Sequence, residues 1–295
     1  MDVFALAAGP GRAFLTGCAV FAAHEIGLFD ALDETPRAAA ALAAALHTRA
    51  HRLRALLDVL RLEGAARLTD AGYLRAAVPP RPAPPPPHGW GLLAEVLRTD
   101  RPLPAEDLRR FHAHLLEAGD GPARRVADLL PPGSLLDLGG GGGVYTRAYL
   151  DRHPGSRATL VDRPDVLPLA AELLGERARL VAADLLDATF PGPAHDAVLL
   201  ANVLHLYPPE ICQKLSAVAA EAGGTVAIKE LEIDPQRSGP SESVLFALNM
   251  AIYTDGGRVY DAQELEGFLT GAGLRHPTTT RLGSDGIVVI ATRTE

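Results

Sequence analysis

The residues richest in chemical possibility lie in Leu135-Leu-Asp-Leu-Gly-Gly-Gly-Gly-Gly-Val144. An apolar run enters five consecutive glycines, Gly139 to Gly143, and leaves into a helical pattern. Glycines there let the backbone turn tightly and let a ligand approach the main chain closely. Three carboxylates stand at matching places. Asp137 precedes the loop. Asp162 ends the next apolar strand, 23 residues after Gly139, where a carboxylate can hold both hydroxyls of a ribose. Asp184 ends the third strand, placed to reach an adenine amine. The set points to a nucleoside-bearing ligand. A dinucleotide oxidoreductase fits less well, because its G-x-G-x-x-G opens an early βαβ unit, whereas here Val144 follows the glycines and the loop falls mid-chain. A glycine-rich turn without ligand is the plainer alternative.

His205 follows the fourth strand in Leu199-Leu-Ala-Asn-Val-Leu-His-Leu-Tyr-Pro-Pro-Glu210. An imidazole, with an ordinary pKa near about 6.5, suits proton transfer at neutral pH. The carboxyl end of a parallel strand is where α/β sheets hold ligands. A satisfied core histidine is the competing account. Glu230 ends the fifth strand, and a solvated strand-end carboxylate is its plain reading. Phe246, Asn249, Met250, Tyr253 and Thr254 share one helix leading to Gly256. Such a stripe serves a core as readily as a pocket. Asn249 stands out, because an amide inside the apolar run from Val244 to Ile252 needs a partner, and a substrate is one candidate. His112 and His114, two apart on an expected helix, face different sides and make a poor metal pair; no metal site is expected.

The elements that must position these groups follow from periodicity. Leu15, Cys18, Ala19 and Ala22 mark one apolar helix face. Thr35 and Pro36 predict the start of a second helix through Ala38–Leu46. Leu53, Leu56, Leu57 and Leu60 predict a third, stopped by Gly64. Asp70-Ala-Gly72 then reads as the turn of a hairpin. Three helices and a hairpin form a winged-helix pattern over 1–78. Seven of the nine residues from 79 to 87 are proline, an extended spacer. Helices are expected around Trp90–Leu97 and Ala105–Ala118, so 79–119 is a linker with connecting helices. From 120 to 295 short apolar strands alternate with helices: Ser134–Leu138, Ala158–Val161, Ala178–Ala182, Ala197–Leu200 and Thr225–Glu230, then Thr278–Leu282 and Ile287–Ala291. The first five predict a parallel sheet covered on both faces. The last two, joined by Gly283-Ser-Asp-Gly286, predict an antiparallel hairpin.

The 295 residues suit one large or two medium domains, and 47% hydrophobic residues supply a core. A net charge of −8 disfavours a broad phosphate-binding surface. No apolar run reaches the length of a membrane span, and the opening residues lack a basic leader segment. Cys18 and Cys212, far apart in sequence, read as buried reduced thiols. A cytoplasmic protein is expected.

Asp-Leu-Gly-Gly-Gly-Gly-Gly, followed by Val161-Asp-Arg-Pro-Asp-Val166, Ala183-Asp184, Ala201-Asn-Val-Leu-His205 and Gly256-Gly257, resembles the class I small-molecule O-methyltransferases of bacteria and plants. These have a Rossmann-like α/β sheet, parallel with a terminal antiparallel hairpin, behind an N-terminal winged-helix dimerisation domain. The resemblance runs from about Phe14 onward, with an N-terminus shorter than is usual in the family. It implies S-adenosylmethionine as cofactor, a small-molecule acceptor and a homodimer. By it, Gly139 and Gly141 contact the aminocarboxyl portion of the cofactor, Asp162 binds ribose with Arg163 beside it, and Asp184 and Leu185 hold adenine. His205 is the general base, paired with Glu230. Phe246, Asn249, Met250 and Tyr253 line the acceptor pocket. Two positions depart from the pattern: Leu206 stands where an Asp often follows the His, and Val259 where a Glu often orients it. Such a base suits an acidic phenol or enol.

Other functions remain open on the same residues. The fold also supports C- or N-methylation, or use of the cofactor without methyl transfer, as in its own cyclisation. A member that keeps the cofactor only structurally is a third form. A winged-helix DNA-binding regulator would use Arg49, Arg52, Arg54 and Arg61, yet acidic and basic residues balance over 1–78.

Overall fold

The fold is that of a computed structural model describing residues 11–104, 108–186 and 195–293, with side chains on the helix at 108–129 described from Gly119 onward. The chain forms two compact units, 1–106 with 233–259, and 107–232 with 260–295. Residues 233–259 thus group with the N-terminal residues.

In the first unit, α1 (Gly11–Glu25), α2 (Leu28–Ala31), α3 (Ala39–Ala45) and α4 (Ala50–Leu62) precede a hairpin of β1 (Ala66–Thr69) and β2 (Gly72–Arg75). Leu15, Cys18, Ala19 and Ala22 are all buried, as their spacing requires. The expected helix start at Thr35 and Pro36 is corrected: Arg37 pairs with Tyr73 as an antiparallel bridge, and α3 begins only after Ala38. The reciprocal bonds Arg37 N–H to Tyr73 O (2.8 Å) and Tyr73 N–H to Arg37 O (2.9 Å) outweigh the local capping signal. Gly72 is required there, since a Cβ would lie 2.4 Å from the Arg37 carbonyl oxygen. After the proline-rich spacer come a 3₁₀ turn at Gly89–Leu92 and α5 (Leu93–Thr99).

A later helix, Ser241–Tyr253 (α10 in chain order), belongs to this unit, where it buries apolar side chains and is also bonded by buried polar groups. The Arg52 guanidinium, 1% exposed, donates to the carbonyls of Ala251 and of Thr254 (3.1 Å) and to Asp100 (2.9 Å). A cation on the last carbonyls of a helix satisfies groups the helix cannot. Arg237 donates to Asp58 (2.9 Å) and to the Val259 carbonyl (3.1 Å). Arg49 binds Asp100 (2.6 Å) and Arg61 binds the Gln236 carbonyl (2.8 Å). Three of the four arginines that suggested a DNA-reading helix are therefore engaged by this unit's own groups.

The second unit is built on a seven-stranded sheet. It opens with α6 (Leu108–Leu129), followed by β3 (Ser134–Leu138), α7 (Val144–Arg152), β4 (Arg157–Asp162), α8 (Leu167–Leu174) and β5 (Arg179–Ala182). Then come β6 (His195–Ala201), α9 (Pro209–Ala222), β7 (Gly223–Glu230), α11 (Ala262–Gly271), β8 (Arg275–Arg281) and β9 (Ile287–Thr292). Strand order is β5-β4-β3-β6-β7-β9-β8. The first five are parallel, and β9 runs antiparallel between β7 and β8. This is the expected α/β sheet with its terminal hairpin. Leu136, Leu138, Val198, Leu200, Val226 and Ile228 face one core layer; Leu135, Ala197, Leu199 and Ala227 face the other. Burial on both faces explains why these strands read as apolar runs. The chain steps from β3 outward to β5, then returns to β6 on the other side of β3, so the crevice at the carboxyl ends of β3 and β6 is the topological switch point.

Candidate active site

The glycine run forms the β3–α7 turn at that switch point. Gly139, Gly141 and Gly143 adopt φ of 73°, 56° and 85°, a left-handed backbone that favours glycine. At Gly139 a Cβ would also lie 2.7 Å from Val203 Cγ2 and 3.3 Å from Leu185 Cδ1. The turn after β3 is thus pressed against the segments after β5 and β6. The amide of Gly139 donates to the Val161 carbonyl (2.8 Å), and that of Gly141 donates to Asp162 Oδ2 (2.8 Å). Both amides are held by β4 and its end, which fixes the loop's shape.

Asp162, half-buried at the end of β4, accepts the Arg163 amide on its other oxygen (2.7 Å). Each carboxylate oxygen has a second lone pair, so two acceptor sites remain for a diol. Arg163 is exposed and pairs with Asp165 (2.9 Å). Asp184 accepts the Leu186 amide (2.9 Å), which turns the chain after β5, and Leu185 is buried behind Gly139. Tyr207, which sequence reasoning passed over, stands within the electrostatic reach of these groups. Burial raises its phenol pKa, Asp184 and Asp162 add to the rise, and Arg163 opposes it. Asp137 is fully buried and accepts a hydrogen bond from Thr146 Oγ1 (2.6 Å). Its Oδ1 has no hydrogen-bond partner among the described residues. Burial pushes this carboxyl up to about 7, against the pull of Thr146 and with the charge of Asp162 adding to the rise.

His205 and Glu230 meet at the carboxyl ends of β6 and β7. His205 Nδ1 lies 2.7 Å from Glu230 Oε2. Glu230 Oε1 accepts the amides of Leu204 (2.8 Å) and His205 (3.2 Å). The carboxylate therefore grips both the ring and the backbone that carries it. Exposures of 8% for His205 and 1% for Glu230 place the pair in a low-dielectric surrounding. A carboxylate accepts only, so the neutral ring carries its proton on Nδ1 and its basic lone pair on Nε2. Leu206, beside the histidine, is 41% exposed. Val259 is buried in the first unit.

Residues 122–275 match the model of the O-methyltransferase domain. The chain belongs to the O-methyltransferase family. It is 33% identical over 226 residues to the 3-hydroxy-5-methyl-1-naphthoate 3-O-methyltransferase of Streptomyces sahachiroi, covering 67% of this chain and 64% of that one. The match thus spans less than two thirds of that relative's length. It is 26% identical to the mitomycin biosynthesis 6-O-methyltransferase of Streptomyces lavendulae, across 93% of this chain and 90% of the relative. A solved family 2 O-methyltransferase from Planctomyces limnophilus, in complex with apigenin, superposes with a TM-score of 0.78 at 26% identity over 100% of this chain and 97% of that one.

S-adenosylmethionine is the cofactor of the O-methyltransferase family. The residues present fit it: a left-handed glycine turn at the switch point, a half-buried carboxylate with lone pairs for a ribose, and a buried orphan acceptor at Asp137 Oδ1 suited to a polar or cationic group. The residues assigned to the acceptor lie in the first unit. There Phe246 and Met250 are buried, and Asn249 Oδ1 accepts a hydrogen bond from Trp90 Nε1 (3.0 Å). The amide that looked orphaned in the sequence thus has a protein partner. Tyr253 is half-buried, its hydroxyl 3.2 Å from where a Cβ on Gly89 would lie. His112 and His114 lie outside the residues whose side chains are described. Cys18 and Cys212 are buried thiols, and no helix among the described residues is long and apolar enough to cross a membrane.

Proposed function

We propose that this chain is an S-adenosylmethionine-dependent methyltransferase acting on a hydroxyl or enol of a small specialised metabolite. The observation that carries the reading is the buried His205–Glu230 pair beside the Gly139 turn. The cofactor, when bound, supplies an electrophilic methyl group. Asp162 holds the ribose with Arg163 beside it, Asp184 and Leu185 hold the adenine, and Gly139 and Gly141 lie along the aminocarboxyl end. His205 Nε2 takes the proton of the acceptor hydroxyl, while Glu230 keeps the Nδ1 proton in place and steadies the imidazolium that forms. The chain's own share would be to hold the acceptor oxygen in place beside the cofactor site, and such positioning supplies much of the rate. Phe246, Asn249, Met250 and Tyr253 are assigned to acceptor contact.

One named relative methylates the 3-hydroxyl of a hydroxynaphthoate, an aromatic hydroxyl, which supports an acidic phenol or enol as acceptor. We further assign residues 1–78 to a winged-helix dimerisation domain, with 79–119 as connection and 120–295 as the catalytic domain, in a cytoplasmic homodimer. A monomer mass in solution refutes the dimer. The test of the reaction is product identity with a panel of phenols. S-adenosylhomocysteine together with an O-methylated phenol supports it; an N- or C-methylated product, or methylthioadenosine from attack on the aminobutyrate chain, overturns it.

A further inference from the structure

Lys229 is a buried charge that the reaction does not use. It sits on β7 opposite Ala201 of β6 and Val288 of β9, one residue before Glu230 and therefore on the other face of the sheet. It is 5% exposed, and its stem lies in the apolar layer of Ala201, Ala227 and Val288. Its ammonium donates to Asn202 Oδ1 (2.8 Å). The Lys229 carbonyl accepts the amide of Asn202 (2.8 Å), so one residue holds Asn202 by side chain and main chain together. Asn202 in turn donates to the Tyr145 hydroxyl of α7 (3.5 Å). It has a φ of 57°, a left-handed backbone that is uncommon for a residue with a Cβ and that asparagine adopts more readily than most. From this bend the chain runs through Val203 and Leu204 to His205.

We propose that Lys229 is a positioning residue for His205: through Asn202 it fixes the start of the 202–205 turn whose end Glu230 fixes. Neighbouring residues of one strand thereby clamp the turn from opposite faces of the sheet. The inference rests on the reading of His205 as the base for its effect on rate, but not for its effect on the ring's position. Burial lowers the Lys229 amine to about 8; Glu230 on the same strand and Asp285 of the β8–β9 connection favour its charge, and Arg125 of α6 opposes it. The clamp is therefore charged at neutral pH and loses its charge as pH rises through about 8.

The test uses Lys229→Met, Lys229→Arg and Asn202→Ala in the full chain. The His205 ring nitrogens are observed by NMR across pH, and kcat and cofactor affinity are measured in parallel. Lys229→Met is expected to shift the His205 resonances, to lower kcat by roughly ten- to a hundredfold with cofactor affinity kept, and to abolish a step in the pH profile near 8. Lys229→Arg keeps the charge, retains most of kcat and also removes that step. Should Lys229→Met fail to fold, Asn202→Ala breaks the same link from the other side and is expected to shift the same resonances. A folded Lys229→Met or Asn202→Ala variant with wild-type His205 resonances and pH profile overturns the proposal. Shifted resonances with unchanged methyl transfer keep the clamp and overturn the base reading instead.

Discussion

One oxygen of Glu230 accepts the amides of Leu204 and His205 while the other meets His205 Nδ1 at 2.7 Å. This arrangement makes Glu230→Gln more than the loss of a charge. The two backbone amides need an acceptor, so the glutamine oxygen turns to them and its NH2 faces Nδ1. The ring must then accept at Nδ1 and carry its proton on Nε2, the wrong form for a base. Glu230→Gln is expected to lower kcat by about 10²–10⁴-fold, the range also expected for His205→Ala, with cofactor affinity unchanged. Steady-state kinetics beside calorimetry check it. A variant with wild-type kcat would remove Glu230 from the mechanism.

Asp162 carries two duties, since it holds the Gly141 amide as well as the place for a ribose. Asp162→Ala removes the diol acceptor and frees the loop. Titration calorimetry is expected to show cofactor binding weakened more than tenfold, about 1.4 kcal/mol or more. Asp162→Asn keeps one acceptor oxygen and is expected to fall between. Equal affinities for wild type and Asp162→Ala would place the ribose elsewhere.

Gly139 is specified twice, by a φ of 73° and by Val203, whose Cγ2 lies 2.7 Å from where a Cβ would stand. Gly139→Ala is expected to cost about 1–3 kcal/mol in stability, from strain and overpacking together. Val203→Ala opens the space but leaves the backbone strain. The double variant should therefore recover part of the loss, seen as a non-additive denaturation midpoint. Strict additivity would mean that the two segments do not press on one another.

The parallel strands were legible because burial on both faces leaves uninterrupted apolar runs, and Leu135, Leu136 and Leu138 alone locate β3 and its ligand-facing end. The His205–Glu230 pairing was reachable only through resemblance, since 25 residues separate the two in sequence. Local signals misled at Thr35 and Pro36, where a cap motif lost to pairing with Tyr73. The polar ties of 233–259 to the first unit run through Arg52, Asp58 and Arg237, each of which looks like a solvated charge in sequence. Lys229 hides for the same reason: nothing local marks a lysine as buried, and its partner Asn202 is brought to it by the pairing of β6 and β7.

The Asp58 carboxylate, 1% exposed, accepts from Tyr73 Oη (2.7 Å), Arg237 Nε (2.9 Å) and Arg61 Nη1 (3.3 Å). Removing it strands a buried guanidinium and a buried phenol. Asp58→Ala is expected to destabilise the first unit by about 3–5 kcal/mol, as for other broken buried pairs. Replacing both partners, as in Asp58→Leu with Arg237→Met, is expected to cost much less than Asp58→Ala alone. Urea denaturation of the three proteins decides it. A small loss in Asp58→Ala would show that 233–259 is held mainly by the apolar face of α10.

Asp137 supplies a pH signature of the fold itself. An aspartate ordinarily ionises near about 3.9, and burial raises this one to about 7 in the folded chain. Between those values the folded state keeps a proton that the unfolded state has released. The contribution of Asp137 is thus most favourable at low pH, declines as pH rises by up to about 1.4 kcal/mol per unit, and levels off once the folded group ionises above about 7. Asp137→Asn stays neutral throughout and can still accept from Thr146, so its stability should lack this decline. Thermal unfolding of both proteins in cofactor-free buffer, from pH 5 to pH 8, isolates the difference from every other titrating group. The wild-type Tm should fall relative to the variant across that range. Parallel curves would mean that Asp137 is ionised in the fold and that a partner for its Oδ1 balances the buried charge.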